Sequence, residues 1–278
     1  MTSRPELLDP PVLQASGVTI GYDRVVISRE LDVTVPDRSF TAIIGPNGCG
    51  KSTLLRGFAR VLRPVAGQML LHGKDLADQR PKEVAQRLGL LPQSSLAPDG
   101  IRVADLVARG RAPYQSLIQQ WRPEDREAVA AALRATRLTD LSGALVDELS
   151  GGHRQRVWVA MLLAQQTEVM LLDEPTSFLD IAHQFELMEL LRDLHEQGKT
   201  VVAVLHDLNQ AARYAQHRIV MRNGEVVTTG PPAEVITAEV IEEVFGLRVL
   251  VVPDPATGTP SVVPLDPRVQ PFDVEGVR

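Results

Sequence analysis

Phe40-Thr41-Ala42-Ile43-Ile44-Gly45-Pro46-Asn47-Gly48-Cys49-Gly50-Lys51-Ser52-Thr53 decides how the chain is read. Its second part fits G-x-x-x-x-G-K-[ST], a loop that wraps phosphate with backbone N–H groups. Its first five residues form a short, largely apolar and β-branched run, as a buried parallel strand requires. After the loop, Leu54, Leu55, Phe58, Val61 and Leu62 recur at helical spacing, which predicts a helix beginning inside the loop. The glycines let the backbone close on an anion, and the helix presents the positive end of its dipole. Lys51 is then expected to reach β- and γ-phosphates, and the Ser52 hydroxyl to bind Mg²⁺.

Working outward from that loop, Val12–Ile20 reads as a strand, followed by Gly21-Tyr22-Asp23. Leu31-Asp32-Val33-Thr34-Val35 alternates apolar and polar residues, as a half-solvated antiparallel strand does. Tyr22 reads by itself as a turn tyrosine packing on its sheet; its flat face could also stack on a base. Residues 1–10 read as a loose tail. Gln68–Leu71 is a short strand and Pro81–Leu88 a helix, and Leu88-Gly89-Leu90-Leu91-Pro92-Gln93 ends a strand at Gln93. Strand ends on the loop side of an open α/β sheet face the ligand.

Residues 96–165 change character, being rich in Ala, Leu and Arg. Val103–Arg111 reads as helical. Arg122-Pro123-Glu124-Asp125 opens another helix, with Pro at its first position and acids in its first turn, running to about Arg137. The arginines here read as a solvated face. Leu149-Ser150-Gly151-Gly152-His153-Arg154-Gln155-Arg156 then opens a further helix. Its Ser-Gly-Gly start is either a flexible N-cap or a second anion-binding end.

Val169-Met170-Leu171-Leu172-Asp173-Glu174-Pro175 is an apolar strand ending in paired carboxylates. A buried strand rarely ends so without a cation or a reaction to serve. Asp173 suits Mg²⁺, and Glu174 suits accepting a proton from an attacking water. Thr176-Ser177-Phe178-Leu179-Asp180 leads into a helix carrying Ile181, Phe185, Met188, Leu191 and Leu194. Thr200–Leu205 is another buried strand, ending at His206-Asp207, where an imidazole could touch a γ-phosphate; His183, His195 and His217 read as ordinary surface histidines. Arg218–Arg222, Asn223-Gly224 and Glu225–Thr229 form a hairpin with a type I′ turn signal. A short helix around Glu239–Phe245 and two Val-rich stretches flanking Asp254–Pro260, read as a small hairpin, complete the chain.

Composition narrows the rest. The 278 residues carry a net charge of −6, which argues against a surface that coats nucleic acid. The single cysteine, Cys49, excludes a disulfide framework and fits a reducing compartment. The helix N-terminus around it is expected to favour its thiolate. No apolar run nears the ~20 residues that cross a bilayer, and the first residues lack a signal-peptide core, so any membrane role requires a partner.

The phosphate loop, Gln93, Leu-Ser-Gly-Gly, the Asp173-Glu174 strand end and His206 occur in the order found in ATP-binding subunits of ABC transporters, which the chain resembles over nearly its whole length. That resemblance implies an α/β fold: a P-loop NTPase (ABC ATPase) core with an antiparallel β subdomain and an inserted helical subdomain. The divisions it implies are residues 1–95 and 166–230 for the core, 96–165 for the helical subdomain and 231–278 for a C-terminal extension. It implies ATP and Mg²⁺ as ligands and a homodimer paired head to tail. ATP would lie between Gly45, Pro46, Asn47, Gly48, Cys49, Gly50, Lys51, Ser52 and Thr53 of one copy and Ser150, Gly151 and Gly152 of the other. Asp180 would link the two sites, and Tyr22 falls at the adenine-stacking position. Gln93 falls at the loop that senses Mg²⁺, completing a metal set with Ser52 and Asp173, and Glu174, Gln93 and His206 make the catalytic set.

Within the family, Thr176–Ile181, Leu205–Ala211 and Asp254–Pro260 are most similar to ferric-siderophore importers of the ferric enterobactin type; heme and cobalamin importers are the nearby alternatives. The resemblance implies a peripheral subunit on the cytoplasmic face of the membrane. Its partners would be an integral-membrane permease and, indirectly, an extracytoplasmic siderophore-binding protein, with no nucleic acid. His153 departs from the Gln usual after Leu-Ser-Gly-Gly. Non-transport ATPases of the superfamily carry two cassettes or a long coiled coil; this chain has one cassette and no sustained heptads.

Overall fold

The computed structural model describes residues 11–23, 25–94, 96–115, 121–177 and 179–266. The tail read over residues 1–10 and the Phe178 position lie outside them. Strands β1 (Pro11–Tyr22) and β2 (Val25–Pro36) come first, then β3 (Phe40–Ile44) and helix α1 (Lys51–Phe58). Next are β4 (Ala66–Leu71), β5 (Lys74–Asp75), α2 (Pro81–Arg87) and β6 (Leu88–Leu91). Helices α3 (Val103–Ala108), α4 (Pro123–Ala135) and α5 (Gly151–Ala164) follow, with no intervening strand among the described residues. The chain then alternates: β7 (Val169–Asp173), α6 (Ile181–Glu196), β8 (Thr200–Val204), α7 (Leu208–Tyr214), β9 (His217–Arg222) and β10 (Glu225–Gly230). Short helices α8 (Pro232–Val235) and α9 (Ala238–Phe245) and strands β11 (Val249–Pro253) and β12 (Pro260–Pro264) end it.

A six-stranded sheet, ordered β10-β9-β3-β8-β7-β6, forms the centre. All but β10 run parallel, and β3, β7 and β8 are buried at every residue. This is why these strands are largely apolar rather than alternating, with Thr41, Asp173 and Thr200 the exceptions. Their pleat still sends side chains two ways. Ala42, Met170, Leu172, Val201 and Ala203 enter one core with α6, α7 and the C-terminal elements. Ile43, Val169, Leu171, Val202 and Val204 enter the other, with α1 and the antiparallel sheet β2-β1-β4-β5. A third, smaller core joins α3, α4 and α5.

Parallel pairing brings the carboxyl ends of four strands to one edge. Ile43 lies opposite Val204, Val204 opposite Asp173, and Leu172 opposite Leu91. The loops after β3, β6, β7 and β8 therefore leave from the same rim.

Three local expectations are corrected. Helix α1 stops at Phe58, and Val61, expected on its buried face, is 65% exposed; Arg60 takes a left-handed φ of 59° and ends the turn. Arg111 belongs to no solvated face. It is 4% exposed, its Nε donates to Asp125 Oδ1 at 2.8 Å, and its Nη1 donates to the Ala164 carbonyl at 2.8 Å and to Gln166 Oε1 at 2.9 Å. Burial works to raise the Asp125 carboxyl, but the hydrogen bonds from Arg111 and from the Arg122 main chain, with the positive charges of both arginines, together outweigh it and hold the group below the usual carboxylate range. On α6, Met188, Leu191 and Leu194 are buried as the spacing predicts, whereas Ile181 and Phe185 are exposed on its first turns.

Candidate active site

The phosphate loop is held from beneath by the β9–β10 turn. Asn223 and Gly224 have φ of 51° and 84°, the left-handed pair that a type I′ turn demands. Gly224 N donates to the Cys49 carbonyl at 3.0 Å, and a Cβ on Gly224 would sit 2.0 Å from the Ile27 carbonyl oxygen. Gly45 is equally constrained: its φ is 152° and a Cβ there would lie 2.1 Å from the Met221 carbonyl oxygen. Helix α1 has no side-chain cap and no acid in its first turn, so its first N–H groups face the loop uncompensated. Lys51 is 5% exposed, and its ammonium donates to the carbonyls of Gly45 and Pro46 at 2.8 and 2.9 Å, folded over the loop.

Asp173 is 1% exposed, and its Oδ1 accepts from Ser52 Oγ at 2.6 Å. Oδ2 is buried with no hydrogen-bond partner among the described residues; Arg56 Nη2 stands 3.8 Å away. Desolvation raises the Asp173 carboxyl above its usual range despite Ser52 and Arg56. A hydroxyl beside a buried, underpartnered carboxylate is a donor set that fits a hard divalent cation such as Mg²⁺.

Glu174 adopts a left-handed φ of 52°, a strained conformation for a non-glycine residue. That turn aims its carboxylate across the rim. Oε1 lies 2.7 Å from His206 Nε2, while Oε2 accepts from Gln93 Nε2 at 2.7 Å and from Ser177 Oγ at 3.1 Å. Residues from the ends of β6, β7 and β8 thus converge on one carboxylate. A cavity of about 430 Å³ opens in front of it, lined by Ile27, Asn47, Gly48, Gly50, Lys51, Ser52, Thr53, Gln93, Glu174 and His206. Sequence reasoning missed Ser177 and Ile27. Ser177 carries a signal only once Glu174 is known to turn left-handed, which brings the hydroxyl three residues on back to its carboxylate.

The remaining site candidates stand apart from this cavity. Tyr22 is 38% exposed, and its hydroxyl accepts from Arg56 Nη1 at 3.0 Å. Ser150 caps α5; its Oγ accepts from His153 N at 3.3 Å and lies 2.9 Å from His153 Nδ1. Gly151 lines a different cleft, and the position of a Gly152 Cβ lies 3.2 Å from the His183 ring. Asp180 caps α6 and bonds His183 through both N and Nδ1, at 2.9 and 2.7 Å. His183 is therefore tied to the Asp180 turn rather than standing free. Cys49 overturns its expected thiolate: it is buried, and desolvation pushes the thiol up despite the nearby Lys51.

Residues 28–177 match the family described as ABC transporter. The ferric enterobactin transport ATP-binding protein of Escherichia coli K12 is 54% identical, with 91% of this chain and 94% of that protein covered. The achromobactin transport ATP-binding protein of Dickeya dadantii is 49% identical over 89% of this chain and 92% of its own length. A hemin import ATP-binding protein of Myxococcus xanthus is 40% identical over 91% and 96%. Among solved structures, a metal-chelate type ABC transporter in an inward-facing conformation matches with a TM-score of 0.79 at 28% identity, covering 92% of this chain and 98% of that one. The dimeric structure of a bacterial ABC transporter cassette matches at 0.69 and 27% identity, covering 79% and 98%. Among the described residues no helix is long and apolar enough to cross a membrane.

Proposed function

The chain belongs to the ABC transporter family and is an ATPase of that family, and from that premise we propose that it powers import of a ferric siderophore through a separate permease. The ATP chemistry rests on Glu174. Held by Gln93, Ser177 and His206 opposite the phosphate loop, its carboxylate is oriented to take a proton from the attacking water. Lys51 and the loop N–H groups bind the phosphates, and His206 contacts the γ-phosphate. Ser52, Asp173 and Gln93 would hold Mg²⁺, which would supply neutralisation of the phosphate charge. Tyr22 stacks on adenine.

None of Ser150, Gly151, Gly152 or Asp180 lines the cavity beside Lys51, which supports a head-to-tail homodimer in which these residues complete the partner's site. Binding of ATP closes that dimer, and hydrolysis removes the group both copies grip. The difference in contact between ATP and ADP is what drives the permease. The subunit works at the cytoplasmic face of the membrane, held there by the permease, with a siderophore-binding protein delivering cargo on the other side.

The cargo assignment is carried by one observation. Relatives named for siderophore transport reach 54% and 49% identity across about nine-tenths of the chain, against 40% for a hemin importer. None of the residues described touches cargo, so this assignment is independent of the ATP chemistry. The test is uptake of labelled ferric siderophore, heme and cobalamin in cells lacking this gene and any redundant ATPase. Loss of siderophore uptake alone is expected. Unchanged siderophore uptake with loss of either other cargo would overturn the assignment and leave the ATPase untouched.

A further inference from the structure

The C-terminal hairpin β11–β12 lies outside the nucleotide cavity, yet it is bonded to the helix that follows His206. Asn209, the second residue of α7, presents its side-chain amide to the main chain of Val262. Its Oδ1 accepts from Val262 N at 2.7 Å, and its Nδ2 donates to the Val262 carbonyl at 3.4 Å. The amide thus pairs with β12 much as a neighbouring strand would. Val262 and Val249 of the hairpin are buried in the core that also holds Ala211 and Ala212 of α7, with Leu208 packed against it.

The rest of α7 is fixed with similar care. Asp207 Oδ1 accepts from the N–H groups of Asn209 and Gln210 at 2.8 and 3.0 Å. Gln210 is buried and its Nε2 donates to Gln184 Oε1 at 2.9 Å; Gln184 in turn donates to the Leu179 carbonyl at 3.0 Å, beside Asp180. At the far end, the fully buried Arg218 donates to the Ala211 and Ala212 carbonyls. Upstream, Leu205 N donates to the Ile43 carbonyl at 3.2 Å. His206 is therefore suspended across a very short span. The sheet holds one side, and a helix pinned by Arg218 behind and Asn209 in front holds the other.

We propose that the β11–β12 hairpin sets the position of His206, with Asn209 as the positioning residue that transmits its grip through α7. Seven residues of helix cannot hold their own first turn in place, because isolated helices of this length are marginal. The hairpin adds a further restraint to those from Asp207, Gln184 and Arg218. An imidazole displaced by even a fraction of an ångström loses a well-aligned contact with the reacting phosphate. This proposal rests on the reading of His206 as a γ-phosphate contact.

The test uses the full chain with its permease and measures turnover, ATP binding and amide hydrogen exchange of residues 206–210 without nucleotide. Asn209→Ala is expected to lower kcat about 3- to 10-fold with KM for ATP unchanged within about twofold, and to speed exchange in that segment. Asn209→Asp keeps the acceptor for Val262 N–H and should restore most of the rate. In a His206→Ala background, Asn209→Ala should cost nothing further, since two residues acting as one unit are non-additive. Unchanged kcat in Asn209→Ala, failure of Asn209→Asp to rescue, or a full additional loss beside His206→Ala overturns the proposal. Normal turnover in His206→Ala alone would instead remove the His206 reading, and the positioning role with it, while the exchange data would still report whether the hairpin grips α7.

Discussion

Glu174→Gln separates the base from the framework around it. In the native site Oε2 accepts from Gln93 and Ser177, and Oε1 faces His206 Nε2. A glutamine can turn its carbonyl oxygen toward Gln93 and Ser177 and its NH₂ toward His206. The imidazole then accepts at Nε2, which only requires the proton to sit on Nδ1. Every partner stays satisfied, the left-handed backbone is unchanged, and the side chain has the same volume. The substitution therefore removes proton acceptance alone. Loss of a positioned general base costs about 10²–10⁴ in rate, equal to roughly 2.7–5.4 kcal/mol of barrier. Stability should move by less than about 1 kcal/mol, a shift of only about 2–4 °C in Tm at most. The assay is steady-state phosphate release beside equilibrium ATP binding and size-exclusion chromatography. The variant should bind ATP normally and accumulate as an ATP-held dimer. Turnover within about tenfold of native protein, with ATP binding intact, would show that another group handles the water.

Mixing a Ser150→Arg chain with a Lys51→Ala chain should yield mixed dimers with one intact composite site and measurable turnover where each variant alone has almost none; crosslinking of Ser150 to Lys51 within a single chain would refute that arrangement. Asp125→Ala leaves the Arg111 guanidinium buried without its counter-charge and should cost about 3–5 kcal/mol, lowering Tm by about 6–20 °C; a shift under about 2 °C would mean the pair contributes little. Because the folded Asp125 carboxyl is depressed, its contribution is present above the unfolded value near about 3.9 and is lost as pH falls through the folded value, so the acid limb of an unfolding titration below about pH 4 should flatten in that variant. Cys49, buried and shifted upward, should react with maleimide at least ~10-fold more slowly than free cysteine at pH 7.5 and faster as pH rises; a rate equal to that of free thiol would refute its burial.

The geometry of the candidate site was legible wherever its residues stand at fixed spacing. Gly45–Thr53, Asp173-Glu174 and His206 stand at strand ends, and parallel pairing guarantees that strand ends share a rim. What escaped depends on contacts between distant segments or on single dihedral angles. Ser177 reaches Glu174 only because of one left-handed residue. Arg111 reads as a surface charge until Asp125, Ala164 and Gln166 enclose it. The early end of α1 follows from Arg60, for which local periodicity carries no signal. The burial of Cys49 comes from packing beneath the loop, which helix-dipole reasoning ignores.

The place of β3 in the sheet has a consequence for how the protein is made. Its two neighbours are β8 and β9, so the strand that launches the phosphate loop has no partner until residues roughly 155 positions further along have been added. At about 5–20 residues per second, ribosomal synthesis leaves an interval of roughly 8–30 s. During it, the antiparallel sheet of β1, β2 and β4 can already pair, while a largely apolar strand waits with both edges open. That is the window in which a nascent chain meets chaperones or aggregates. The nucleotide site thus has a birth order: its cradle is translated early but becomes a site only when β8 and β9 arrive to flank it.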